Sequence, residues 1–286
     1  MHALDQRVAP LPQHDQVARG LRLAAPDPRQ YARVVLVRAP DPDGAARYYA
    51  DLLGAAASAN VVQLGSGTRI VLEEGAPGLA RTRLDVAADL DLGALDRSRG
   101  DDGAVTDTDG WQLWLEPRPA IAELASDSEP RLGHLTFLSP DPARQETFYR
   151  TLDFRLSEAL GTMFRWLRCN PIHHTLAYQR APEPQLHHLA IELPDRAALV
   201  EACDRLARLD HAIEFGPGRH AVGGNLFAYF LDRHGLRIEL FCELRRVSDP
   251  DEPPLLHDEE FRVKSINVWG PTPPESFRNG LAPPPR

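Results

Sequence analysis

Cysteine is scarce: three thiols, Cys169, Cys203 and Cys242, in 286 residues. An odd number at wide spacing excludes a disulfide framework and points to reduced, structural thiols in a cytoplasmic protein. Long apolar runs are missing too. Nothing approaches the ~20 residues that cross a bilayer, and Met1 through Arg7 hold no signal-peptide core, so no membrane partner is expected. Basic charge is in deficit, with 32 Lys+Arg against 41 Asp+Glu and a net charge of −9. Without a basic footprint, nucleic acid is not an expected partner. Phosphate loops are absent as well: Gly216-Pro217-Gly218 and Gly223-Gly224 lack the strand, loop and helix context of GxGxxG or GxxxxGKS/T and read as turns.

What is present begins with size. A chain of 286 residues, 43% of them apolar, suggests two domains with ordinary cores. Histidine is unevenly placed: nine of 11 lie between His134 and His257, where even scatter would put about five. The second half uses imidazole for something.

The chain also repeats itself, which bears on the fold before any single motif does. Residues 34–54 and 134–154 align at a register of 100 residues, placing Pro40-Asp41-Pro42 on Pro140-Asp141-Pro142, Tyr49 on Tyr149 and Leu52 on Leu152. Each copy reads as a strand, a turn, an Asp N-cap with Pro at the first helical position, and an apolar helix stripe. The second copy continues with a strand over 186–193. A helix opened by Asp195 follows, carrying Ala198, Leu199, Ala202, Cys203, Leu206 and Leu209 at three- and four-residue spacing. Strands over 225–232 and 236–244 complete it. The first copy has degraded counterparts at 84–95 and 109–116. The expected fold is α+β, with tandem βαβββ modules forming two domains around curved mixed sheets. Residues 1–30 read as an N-terminal arm, 31–120 as a degenerate module without metal, 131–244 as the catalytic module, and 245–286 as a proline-rich extension.

The polar positions of the two copies differ. Val34 stands opposite His134, Leu84 opposite His188, and Trp114 opposite Glu239. A single His or Glu on a strand is ordinarily structural or solvated; three that are apolar or aromatic in the other copy are a pattern. Alternation puts His188 on one face with Ala190 and Glu192, and Glu239 on one face with Phe241, so three strands could present both imidazoles and the carboxylate into one concavity. Two histidines and a carboxylate on one side of a metal form the facial triad of non-haem Fe(II) oxygenases, which leaves coordination positions open.

These residues carry a family resemblance. The stretches RLGHLTF (131–137), HHTLAY (173–178), LHHLAIEL (186–193), GPGRH (216–220) and FAYFLDRHGLRIELF (227–241) resemble the catalytic domain of type I extradiol, catechol-cleaving dioxygenases of the vicinal oxygen chelate superfamily. The likeness covers residues 131–243 in motif and 31–120 in fold only. One departure is the turn Asp232-Arg233-His234-Gly235, where the family often has Asp-Pro-x-Gly. The resemblance implies that His134, His188 and Glu239 are Fe(II) ligands, with Mn(II) as the alternative metal. It also implies that His174 is an acid/base and that His220 and Tyr229 hydrogen-bond the catecholate. The implied substrates are a small aromatic diol and O2, and the implied assembly is a homo-oligomer. Two other readings stay open: a non-catalytic small-molecule-binding protein of the same superfamily, and an O2-independent isomerase or lyase.

The remaining polar residues have plainer expectations. His173 and His187 should point to the opposite strand faces and make structural hydrogen bonds. His211 and His234 read as solvated loop residues, Arg219, Glu201, Asp204 and Glu243 as surface charges, and Asn225 as a pocket-rim residue. The extension is either a surface tail or a lid in which Phe261 or Trp269 shields the metal cavity.

Overall fold

The computed structural model describes residues 31–87, 89–93, 95, 100–118, 128–261 and 266–285; the expected arm over 1–30 lies outside them. Among these residues no helix is long and apolar enough to cross a membrane. The described residues form two mixed sheets of seven and nine strands with three α-helices, an α+β fold. The first sheet uses β1 (Tyr31–Ala39), β2 (Ala56–Ser58), β3 (Val61–Gln63), β4 (Arg69–Glu74), β5 (Gly78–Ala87), β6 (Val105–Thr106) and β7 (Gln112–Arg118), with α1 (Pro42–Leu53) after β1. The second uses β8 (Arg131–Ser139), β9 (Arg155–Leu160), β10 (Phe164–Arg168), β11 (Leu176–Arg180), β12 (Gln185–Glu192), β13 (Ile213–Arg219), β14 (Leu226–Leu231), β15 (Arg237–Cys242) and β16 (Leu255–His257), with α2 (Pro142–Arg150) and α3 (Arg196–Arg208).

The strand orders, β2-β3-β4-β1-β5-β7-β6 and β13-β14-β15-β12-β8-β11-β10-β9-β16, show one topology used twice. In each sheet the first long strand pairs parallel with one neighbour (β1 with β4, β8 with β11) and antiparallel with the other (β1 with β5, β8 with β12). The second sheet is finer-grained than the sequence suggested. It holds two βαβββ units, β8-α2-β9-β10-β11 and β12-α3-β13-β14-β15, within the one module. Strand β16 comes from the proline-rich extension and extends the sheet by pairing parallel with β9.

The helices start where side chains can satisfy their free N–H groups. Asp41, Asp141 and Asp195 accept from Gly44, Arg144 and Ala198 at 3.0, 3.1 and 2.8 Å, and Pro42 and Pro142 occupy first-turn positions where no N–H is needed. Gly54 closes α1 in the left-handed conformation, with φ 65°. Helix α3 buries Leu199, Ala202 and Leu206, the stripe its spacing predicts.

The repeat also explains how the modules join. Tyr49 on α1 donates to Asp232 in the β14–β15 turn (2.6 Å), and Tyr149 on α2 donates to Asp107 in the β6–β7 turn (3.1 Å). The pairs are reciprocal: each module's helix Tyr reaches the other module's turn Asp. Both aspartates use the second oxygen to hold their own turn, Asp107 accepting from Asp109 and Trp111 and Asp232 from His234 and Leu236. One apolar core runs through both modules, containing Leu52, Val86 and Trp111 from the first and Leu135, Leu189 and Leu240 from the second.

Candidate metal centre

Strands β8, β12 and β15 lie side by side, and their register brings the three candidates together. Ala190 on β12 faces His134 on β8 and Glu239 on β15, so these residues form one row on one face of the sheet. His188, two residues before Ala190, projects on the same side. Ala190, in the middle of that row, is fully buried and small. A larger residue there would fill the space between the three candidates.

His134 Nε2 lies 3.2 Å from His188 Nε2 and 3.0 Å from Glu239 Oε2, and His188 Nε2 lies 3.1 Å from the same oxygen. Among the described residues this is the group whose donor atoms could hold a metal ion. The triangle has the right size. Ligands about 2.1 Å from a cation and 90° apart stand about 3.0 Å from one another, which is one face of an octahedron.

Hydrogen-bond chemistry fixes which nitrogens face the triangle. The Phe277 carbonyl can only accept, so His187 Nε2–H donates to it (2.7 Å). Burial, together with the nearby His188 and Arg237, holds His187 well below the usual imidazole range and therefore neutral. Its Nδ1 thus accepts from His188 Nδ1–H (2.7 Å), leaving the His188 Nε2 lone pair towards Glu239 and His134. Burial also lowers His188 to about 4, against the opposing pull of Glu239. Burial alone would raise Glu239, but the imidazoles of His134 and His188 hold it well below the carboxylate range. Asn225 Nδ2 donates to Glu239 Oε1 (3.0 Å), which leaves Oε2 for the triangle. A carboxylate oxygen converging with imidazole nitrogens at this spacing, with outer partners orienting them, is a donor set suited to a divalent transition metal.

The other candidates flank it. The His174 ring sits 4.3 Å from that of His134, and the Tyr229 ring 5.2 Å from that of His188. His220 Nδ1–H donates to the Ile266 carbonyl (2.5 Å), so its Nε2 accepts from the Tyr229 hydroxyl (3.0 Å). Burial lowers both His174 and His220 and raises the Tyr229 phenol well above its usual value, so all three are neutral near pH 7. All six candidates, His134, His174, His188, His220, Tyr229 and Glu239, therefore gather in one buried region.

Several expectations need correction. His187 does not turn to the opposite face: β12 carries an extra residue there relative to β8, a bulge that breaks strand alternation and sets its ring against His188. His173 precedes β11 in a loop, so alternation does not govern it; its Nδ1 meets His174 Nδ1 at 3.0 Å. His211 is half-buried, with its ring 5.1 Å from Tyr48 of the first module. Arg219 is largely covered, bonded to the Gly224 carbonyl and to Glu243. Asn225, expected at a rim, is buried beneath the carboxylate. Phe261 stacks on His257 and Trp269 is 56% exposed. The parts of the extension at the site are instead Ile266, through its carbonyl, and Phe277, whose ring lies 4.7 Å from Tyr229. In the first module, Trp114 sits under the guanidinium groups of Arg81 and Arg83.

Residues 131–240 match the model of the glyoxalase/bleomycin resistance protein/dioxygenase superfamily. Metapyrocatechase 2 of Cupriavidus necator is 28% identical over 151 residues, 51% of this chain and 46% of that protein. An iron-dependent extradiol dioxygenase of Rhodococcus jostii is 32% identical over 137 residues, 42% of this chain and 46% of that one. The matched stretches thus span about half the length of these curated relatives. The homoprotocatechuate 2,3-dioxygenase of Brevibacterium fuscum superposes with a TM-score of 0.75 at 24% identity, covering 90% of this chain and 94% of that one. Its counterpart from Arthrobacter globiformis gives 0.73 at 23% identity, covering 91% and 94%. The fold is shared along nearly the whole chain.

Proposed function

We propose that this chain, whose residues 131–240 match the model of the glyoxalase/bleomycin resistance protein/dioxygenase superfamily, is an extradiol dioxygenase. It would open the ring of a catechol next to the diol with incorporation of O2, using Fe(II) held by His134, His188 and Glu239. The observation that carries this reading is the buried triangle of donor atoms at 3.0–3.2 Å, with His174, His220 and Tyr229 arranged around it. Ligand type suits Mn(II) as well as Fe(II), so each metal is to be loaded separately.

When bound, the metal supplies Lewis acidity that lowers the pKa of the diol and a shared site for both reactants. The protein's own groups do the rest. His220, pinned by the Ile266 carbonyl, aims Nε2 at the Tyr229 hydroxyl. This coupled pair can take up and share a diol proton. His174 is neutral and screened from water, so it can accept a proton and return it during ring opening. Phe215, Phe227, Tyr229, Phe277 and Ile266 cluster beside this pair and offer an apolar wall to an aromatic ring. Burial raises the Cys169 and Cys242 thiols to about 12, which makes them poor nucleophiles.

The test is O2 uptake by anaerobically Fe(II)-loaded protein over catechols varied in size and charge. Uptake with a yellow ring-opened product is expected, and His174→Gln should slow turnover by about 10²-fold or more. Stoichiometric iron without uptake or colour across the panel contradicts the reading. Turnover without O2 would make the protein an isomerase or lyase, and unaltered bound catechol a binding protein.

A further inference from the structure

Behind His174 runs a line of polar groups that the proposed chemistry leaves unused. His173 is fully buried in the loop before β11. Its Nδ1 meets His174 Nδ1 at 3.0 Å, and its Nε2 lies 3.2 Å from Glu158 Oε2 on β9. The two atoms face each other at ion-pair distance without meeting hydrogen-bond geometry, and neither has a hydrogen-bond partner elsewhere. The second oxygen of Glu158 faces His257 Nε2 at 3.2 Å. His257 sits on β16, which runs parallel to β9 and puts Leu256 opposite Ala159, one residue from Glu158. Its ring is covered on one side by Phe261, 4.1 Å away and nearly parallel.

Donor and acceptor roles along this line can be worked out from its anionic end. An ionised carboxylate only accepts, so Glu158 requires a proton on His173 Nε2 and another on His257 Nε2. A His173 ring whose single proton sits on Nε2 presents a bare Nδ1, and a proton on His174 Nδ1 then makes the 3.0 Å contact. His174 is left with an unprotonated Nε2.

We infer that Glu158 and His173 are positioning residues that hold His174 in the tautomer protonated at Nδ1, so that Nε2 is the nitrogen free to take a proton from the reacting diol. The inference rests on the dioxygenase reading for its purpose, but not for the tautomer itself. It also gives the arriving proton a counterpart. Binding at His174 Nε2 is matched by transfer of the Nδ1 proton to His173 Nδ1, which places the positive charge against the Glu158 carboxylate and away from His134 and His188. The return step reverses both transfers, and no redox partner is involved. The arrangement repeats one found at the metal ligand, where His187, fixed by the Phe277 carbonyl, sets the tautomer of His188. In both places a histidine immediately before the functional one acts as its spacer, anchored by a carbonyl for His188 and by a carboxylate for His174. Strand β16, from the proline-rich extension, supplies the second contact to that carboxylate.

The experiment is long-range proton–nitrogen NMR on the metal-free, full-length protein labelled with ¹⁵N-histidine, in which protonated and bare ring nitrogens are resolved. His173→Phe and His174→Phe assign the signals. The wild type should show His174 protonated at Nδ1 and His173 at Nε2. Glu158→Leu, which removes the acceptor, should leave His174 as a mixture of tautomers, and Glu158→Gln, whose amide oxygen still accepts, should restore one. In iron-loaded protein, Glu158→Leu should lower kcat at least tenfold and change KM for catechol by less than twofold. A wild-type His174 protonated at Nε2, or a tautomer indifferent to Glu158→Leu, overturns the inference. Absence of turnover in the wild type would instead overturn the dioxygenase reading and leave the NMR result standing.

Discussion

Replacing Asp107 by Asn should make the protein more stable at neutral pH, although it alters one of the two reciprocal contacts between the modules. Burial pushes the Asp107 carboxyl up from 3.8 to about 6, and the N–H donors of Trp111 and Asp109 and the Tyr149 hydroxyl pull it back only in part. At 1.36 kcal/mol per pH unit the displacement corresponds to about 3 kcal/mol. The sign follows from proton binding. Between pH 3.8 and 6 the folded protein keeps a proton that the unfolded chain has released, so the group's stabilising contribution is full below this window and lost as pH rises through 6. Above it the ionised, buried carboxylate is a net cost. Asparagine keeps an oxygen for the two turn N–H groups and can offer its NH2 to the Tyr149 oxygen, so the contacts survive without the charge. Urea denaturation of metal-free wild type and Asp107→Asn across pH 4 to 7 reads this directly. The variant should gain up to ~3 kcal/mol at pH 7 and little or nothing at pH 4. Equal or lower stability at pH 7, or a difference that does not change with pH, would refute the reasoning.

Other consequences are equally concrete. Ala190→Leu should abolish Co(II) or Fe(II) binding by calorimetry while circular dichroism stays native, because the added side chain occupies the space between the three donors; retained affinity contradicts the placement. Asn225→Ala frees the Glu239 carboxylate to rotate and should weaken metal affinity by about 10–100-fold, as outer partners of ligands commonly do. Tyr49→Phe leaves the buried Asp232 oxygen without its 2.6 Å donor and should cost about 1.5–3 kcal/mol in urea denaturation; a neutral effect would remove this pair from the account of how the modules join.

The sequence exposed the parts of this molecule that depend on residue type. Asp followed by Pro, ahead of an apolar stripe at helical spacing, marks the starts of α1 and α2, and the copies at 41–42 and 141–142 gave the duplication. Comparing them isolated His134 and Glu239, which face Val34 and Trp114; the pairing of His188 with Leu84 was out of register, because the matching bulges put Arg81 in the place of His188 and Leu84 in that of Ile191. His174, His220 and Tyr229 came from family resemblance. The rest was hidden for identifiable reasons. The bulge at His187 changes strand parity, which periodicity assumes to be constant. The anchors of His187 and His220 are backbone carbonyls of Phe277 and Ile266, 90 and 46 residues away, and any residue type supplies a carbonyl. Glu158 and His257 meet only because β16 joins the sheet. The extension reads as a proline-rich tail since its contributions are a three-residue strand, main-chain oxygens and scattered single side chains such as His257 and Phe277.

The central claim is that the second module's row of His134, Ala190 and Glu239, with His188, holds the metal at which a catechol and O2 react. The most direct measurement is an oxygen-electrode assay of protein loaded with one equivalent of Fe(II), run with limiting catechol on the wild type and on Glu239→Gln. One O2 consumed per ring opened by the wild type, and no consumption above background by the variant at matched iron, is the expected result. Equal consumption by both proteins, or none by a wild type that retains its iron, would contradict the account.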